Sequence, residues 1–63
     1  MEIIISNKQI KELAKINNAQ NVESFGYNGN CKYKFISLNN YNLAKSILYV
    51  DYNNNYFLEI RRS

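Results

Sequence analysis

Apolar and polar positions alternate most regularly between Ile47 and Arg62, where ILYVDY and YFLEIRR flank three asparagines. A period of two marks strands. Leu48, Val50 and Tyr52 share one face and Ile47, Tyr49 and Asp51 the other, while Tyr56, Leu58 and Ile60 oppose Phe57, Glu59 and Arg61. A two-residue loop at Asn53-Asn54 would set Leu48 against Glu59 and spoil a buried face. A three-residue loop, Asn53 to Asn55, pairs Tyr52 with Tyr56, Val50 with Leu58 and Leu48 with Ile60. That loop is expected, because such loops end on a left-handed residue and asparagine tolerates this backbone. The outer face of this hairpin, Ile47, Tyr49, Phe57, Glu59 and Arg61, is too apolar for a freely solvated surface.

The remaining elements follow in chain order. Glu2 to Ile5 is a β-branched run expected to form a strand, buried on both faces or at the sheet centre. Ser6 with Gln9 forms a Ser-x-x-Gln capping box, and Ile5 with Ile10 a hydrophobic staple. Ile10, Leu13 and Ala14 then make an apolar stripe at helical spacing, flanked by Ile16, with Lys8, Lys11 and Lys15 opposite; Asn17-Asn18 ends the helix. IKELAKINNA is similar to the first helix of a helix-turn-helix unit, but Val22 to Gly29 reads as strand and turn where a recognition helix would stand. Asn28-Gly29 signals a second hairpin that pairs Val22 with Phe35, Glu23 with Lys34, Ser24 with Tyr33 and Phe25 with Lys32. Asn39 or Asn40 can cap a short helix ending near Lys45, since Tyr41, Ala44, Ile47 and Leu48 align at helical spacing. The sum is a single α+β domain over residues 1–63, ordered β-α-β-β-(short α)-β-β: a twisted antiparallel sheet with one helix packed on a face.

Length and composition narrow the possibilities. A chain of 63 residues buries only about 60% of its unfolded surface, so marginal stability is expected. It has no His and a lone Cys31, so neither a zinc set nor an intramolecular disulfide is available and no cofactor is expected. Self-association as a homodimer is the remaining route to extra stability. No apolar run spans a bilayer, and Met-Glu-Ile-Ile-Ile-Ser lacks the basic flank of a signal peptide, so a cytoplasmic protein without a membrane partner is expected. The net charge of +3 permits anionic partners without requiring them. Asn, Ile, Lys and Tyr, all with AT-rich codons, supply about half the chain and point to an AT-rich genome or mobile element. The asparagines are spread among periodic apolar segments and form no low-complexity tract.

Catalytic chemistry finds little footing. The commonest general base, His, is missing, and Lys32 would point away from Cys31 on a strand. Glu2, Glu12, Glu23, Asp51 and Glu59 show no metal or acid–base spacing, and neither Gly26 nor Gly29 lies in a phosphate loop. A non-enzyme is expected. Two binding surfaces compete. Tyr49, Phe57, Glu59 and Arg61 on the last hairpin have the residue types of a protein interface. Phe25, Tyr27, Lys32 and Lys34 on the first have the rings and amines of a single-stranded nucleic-acid platform. One helix cannot cover both, so some aromatic surface must stay open or be buried in an oligomer. In size, AT-rich composition and missing catalytic residues the chain resembles small inhibitor or accessory proteins of phages and plasmids, such as anti-CRISPR proteins. That resemblance implies a protein that works by occluding a partner's surface.

Overall fold

The computed structural model describes residues 1–22 and 27–61. Its elements are β1 (Glu2–Ile4), α1 (Asn7–Ile16), β2 (Gln20–Asn21), β3 (Cys31–Leu38), β4 (Ala44–Asp51) and β5 (Tyr56–Ile60). They form one five-stranded sheet in the order β1-β3-β4-β5-β2, with α1 packed on one face, a small α+β fold as the sequence implies.

The sheet is mixed rather than wholly antiparallel. β3, β4 and β5 run as an antiparallel meander, whereas β1 pairs parallel to β3 and β2 parallel to β5. The helix explains this. α1 leaves one edge strand and returns to the opposite edge, which lies four strand spacings, or about 19 Å, away. Ten residues of helix span about 15 Å, and the short connections on each side supply the rest. The chain therefore crosses the meander once, and the strands before and after the helix run parallel.

Local chemistry starts and stops α1 where the sequence indicates. The Gln9 N–H donates to Ser6 Oγ at 3.1 Å while the Ser6 N–H donates to Gln9 Oε1 at 2.9 Å, closing the capping box. At the other end the Asn17 N–H donates to the Leu13 carbonyl, and Asn18 takes a left-handed φ of 53°. Ile10 and Ala14 are buried against Leu48, with Ile5, Leu13, Ala19, Phe35, Tyr56 and Leu58 around them. Beneath the first helical turn, Asn7 Oδ1 accepts from Ser46 Oγ at 2.5 Å. The buried Ser37 accepts from the Ser46 N–H at 3.1 Å, so these polar groups are satisfied where the helix meets the sheet.

Expectations for three further segments also fail. Glu2–Ile4 is not central but an edge strand, with Ile4 exposed. The hairpin at Asn28-Gly29 does not form in its expected register. Over Lys34–Ile36 both edges of β3 are taken, by β1 and β4, so Phe35 faces Ile3 and Leu48. Val22 instead donates its N–H to the Leu58 carbonyl at 2.9 Å. The expected pairs of Glu23, Ser24 and Phe25 lie outside the described residues. Lastly, the stretch from Asn39 to Lys45 contains no helix. β4 starts at Ala44, because pairing with β3 outweighs the helical spacing of Tyr41, Ala44 and Ile47.

The two meander turns are built alike. In each, an Asx side chain accepts two backbone N–H groups and a left-handed asparagine closes a three-residue loop. Asn39 Oδ1 accepts from Tyr41 and Leu43 at 2.9 and 3.0 Å, and Asn42 has φ 61°. Asp51 Oδ1 accepts from Asn53 and Asn55 at 2.9 and 2.8 Å, and Asn54 has φ 62°. These bonds, led by that from the Asn55 backbone, hold the Asp51 carboxyl below the usual carboxylate range. The second loop is therefore Tyr52–Asn54, one residue earlier than expected, and Leu48 faces Leu58 while Val50 faces Tyr56. Each strand residue's partner moves by two, so every side chain keeps its expected face.

Leu48 and the turn asparagines give direct tests. Leu48→Ala should lower unfolding stability by about 2–5 kcal/mol in urea titration, whereas exposed Ile60→Ala should cost about 0.5 kcal/mol or less. Asn54→Gly should raise stability by up to about 1 kcal/mol and Asn54→Val should lower it, since only a left-handed position rewards glycine.

Candidate partner-binding face

The register brings together, on the sheet face opposite α1, side chains that the sequence assigned to two separate hairpins. One row across this face reads Glu2, Lys34, Tyr49, Phe57 and Gln20, and the next Ile4, Ile36, Ile47 and Glu59. Tyr27 lies over the first row. Its ring stacks on Phe57 with centroids 4.6 Å apart and tilts against Tyr49 at 5.2 Å. Gly29 permits this, because a Cβ there would collide with the Tyr27 hydroxyl and ring. Lys34 Nζ sits 5.6 Å from the centre of the Tyr49 ring, a cation–π contact.

A charged triad completes the face. The Tyr49 hydroxyl donates to Glu59 Oε1 at 2.6 Å, and Arg61 Nε donates to Glu59 Oε2 at 2.9 Å. Burial pushes the Glu59 carboxyl up, but the Tyr49 hydroxyl and the Arg61 guanidinium outweigh it and hold it below its ordinary value. Burial, reinforced by the Glu59 carboxylate, pushes the Tyr49 hydroxyl up to about 12. Each oxygen of the buried carboxylate accepts one of these bonds.

This arrangement changes the standing of the expected site residues. Tyr49 is 6% exposed and Glu59 is also buried, Phe57 is half-buried, and Arg61 alone of that set faces solvent. The aromatic surface the helix leaves uncovered is closed in part by Tyr27, a cover that the sequence argument did not include. In the nucleic-acid set, Tyr27 packs inward and Lys32 Nζ donates to Asn54 Oδ1 at 2.7 Å while lying over Tyr33. Phe25 lies outside the described residues. Cys31 is a half-buried free thiol. Among the described residues no three His, Cys, Asp or Glu side chains gather as a metal site, and no helix is long and apolar enough to cross a membrane.

Open apolar surface lies elsewhere, at the end of the sheet formed by the β3–β4 turn. Tyr41 is 82% exposed and Leu43 59%, with exposed Leu38 beside the turn and exposed Ile60 opposite Ser46. Lys45 and Arg61 are exposed nearby, the Arg61 N–H donating to the Lys45 carbonyl at 2.9 Å. A signal for this surface is present in the sequence: large apolar residues interrupt the asparagine-rich turn at Tyr41 and Leu43. The chain matches no protein-family model, and it is similar to none of the curated proteins or solved structures compared with it.

The triad predicts a distinctive alkaline titration. Tyr49 should ionise near pH 12 in ultraviolet titration of the folded protein, and Tyr49→Phe should remove that step. Because the folded value lies above the ordinary 10.0, its stabilisation is present below pH 10.0 and is lost as the pH rises through about 12.

Proposed function

We propose that the chain is a small non-enzymatic protein-binding module, an inhibitor or regulator of the kind that mobile elements carry, acting by occluding a partner's surface. The observation that carries this reading is the β3–β4 end of the sheet. Tyr41 and Leu43 project into solvent from a turn whose backbone Asn39 already ties down. An ordered loop loses little conformational freedom when it docks, so exposed apolar area there converts efficiently into affinity. Tyrosine and arginine lead the residue types that dominate protein interfaces, and Arg61 adds a polar rim beside the apolar centre. The triad gives Arg61 a fixed direction through Glu59.

A single-stranded nucleic-acid platform has weaker support. Its rings would have to be free to stack on bases, whereas Tyr27 is stacked on Phe57 and Lys32 is bonded to Asn54.

Affinity capture from nuclease-treated lysate, wild type beside a Tyr41→Ala, Leu43→Ala double variant, tests the proposal. A protein partner should survive nuclease and added salt and fall at least about tenfold in the double variant, since one hot spot contributes about 2 kcal/mol. A partner retained equally by both would refute the turn as the site. Recovery of nucleic acid, with steep salt dependence and loss on Lys32→Ala, Lys34→Ala, would establish the other reading.

A further inference from the structure

β1 is composed like a central strand yet stands at an edge. Apart from Glu2, the run Met1 to Ile5 is wholly apolar, with three consecutive isoleucines. Central strands carry such runs because both of their faces and both of their edges are covered. Here Met1 is 80% and Ile4 67% exposed. Edge strands are ordinarily blunted with lysine, proline or a bulge. β1 has no lysine or proline, and its pairing with β3 is regular.

The hydrogen bonds show which groups are free. Met1 accepts at its carbonyl from the Lys34 N–H at 2.9 Å, and the Ile5 N–H donates to the Ile36 carbonyl at 3.0 Å. Backbone groups alternate in direction along a strand, so Met1, Ile3 and Ile5 face β3 while the N–H and C=O of Glu2 and Ile4 face outward. Two outward residues separated by one inward residue are self-complementary under a two-fold axis at Ile3. In an antiparallel pairing of two such edges, Glu2 of one copy meets Ile4 of the other, twice.

We propose that two copies of the chain pair antiparallel along β1, Glu2 of each exchanging backbone hydrogen bonds with Ile4 of the other. Two five-stranded sheets become one continuous sheet, and β1 takes the central place that its composition suits. Ile3 then meets its own counterpart on the helix-covered face, and Met1 meets Ile5 of the second copy. On the opposite face each Ile4 lies beside a Glu2, whose aliphatic stem covers it while the carboxylate stays in water. No two like charges stand directly opposite. A three-residue strand per copy gives an interface below the roughly 1,200 Å² of stable complexes, so the dissociation constant falls between about micromolar and millimolar. This inference does not depend on the β3–β4 turn or its partner.

Sedimentation over that concentration range, combined with amide hydrogen exchange, tests it. The average mass should rise towards that of a dimer, and the Glu2 and Ile4 amides should become protected in step. The Ile5 amide, already bonded to Ile36, should be protected throughout. Ile4→Lys, whose side chain leaves the helix-covered core untouched, should keep the circular dichroism of the wild type and shift association at least tenfold weaker. A chain made by ligation with N-methyl-Ile4 lacks only the outward donor and should do the same. A protein that stays monomeric at millimolar concentration, or a dimer that persists in both variants with Glu2 and Ile4 unprotected, would overturn the proposal.

Discussion

Burial of β4 on both of its faces is the constraint on which the fold depends. Ser46 to Val50 are all buried, in a chain too short to bury much else. Leu48, with Phe35 and Leu58 on its two flanks, lies under Ile10 and Ala14 of the helix. Tyr49 lies under Tyr27 on the other side, its hydroxyl anchored to Glu59. Covering a strand on both faces demands two covers, and one ten-residue helix supplies one of them. The second cover is aromatic, and the hydrogen-bonded triad lets a tyrosine and a glutamate stand where purely apolar residues would otherwise be required.

The two turns at the ends of β4 serve the same constraint. A central strand must be delivered in a single register, because slippage by one residue would exchange its two buried faces. Asn39 and Asp51 each hold a turn by accepting backbone N–H groups, and Asn42 and Asn54 each absorb the left-handed residue that a three-residue loop requires. Part of the asparagine content that looks like codon bias is therefore placed with structural effect. Of the twelve, Asn39, Asn42 and Asn54 shape the turns, and Asn7, Asn17 and Asn18 shape the start and the end of the helix.

Local signals were the legible part of the sequence. The capping box, the apolar stripe of α1 and the alternation of the last two strands all depend on neighbours within a few positions, and the structure follows them. What was not legible depends on competition between distant segments. Asn28-Gly29 argues for a hairpin, but over Lys34–Ile36 both edges of β3 are claimed, by β1 and β4. The loop of the last hairpin moved by one residue because Asp51, treated as a strand position, bonds the turn. The expected interface rests on residue type and on which strand face the helix leaves uncovered. Tyr49 and Glu59 have the composition of an interface and the burial of a core, and only the position of Tyr27 separates those two readings.

That separation bears on where a domain this small can carry function. A residue needed to close a thin core is poorly placed to meet a partner, since removing it from its contacts costs the stability that holds the binding surface in shape. The sheet face opposite the helix is committed in this way through Tyr27, Tyr49, Phe57 and Glu59. The margins of the sheet are not. The β3–β4 end presents Tyr41 and Leu43 without drawing them from the core, and the outer edge of β1 presents backbone groups that no other strand among the described residues uses. Both are held by elements that fold for other reasons, Asn39 for the turn and the β1–β3 ladder for the edge. Recognition at the margins can therefore change without unfolding the centre, because the side chains presented there are not the ones that close the core.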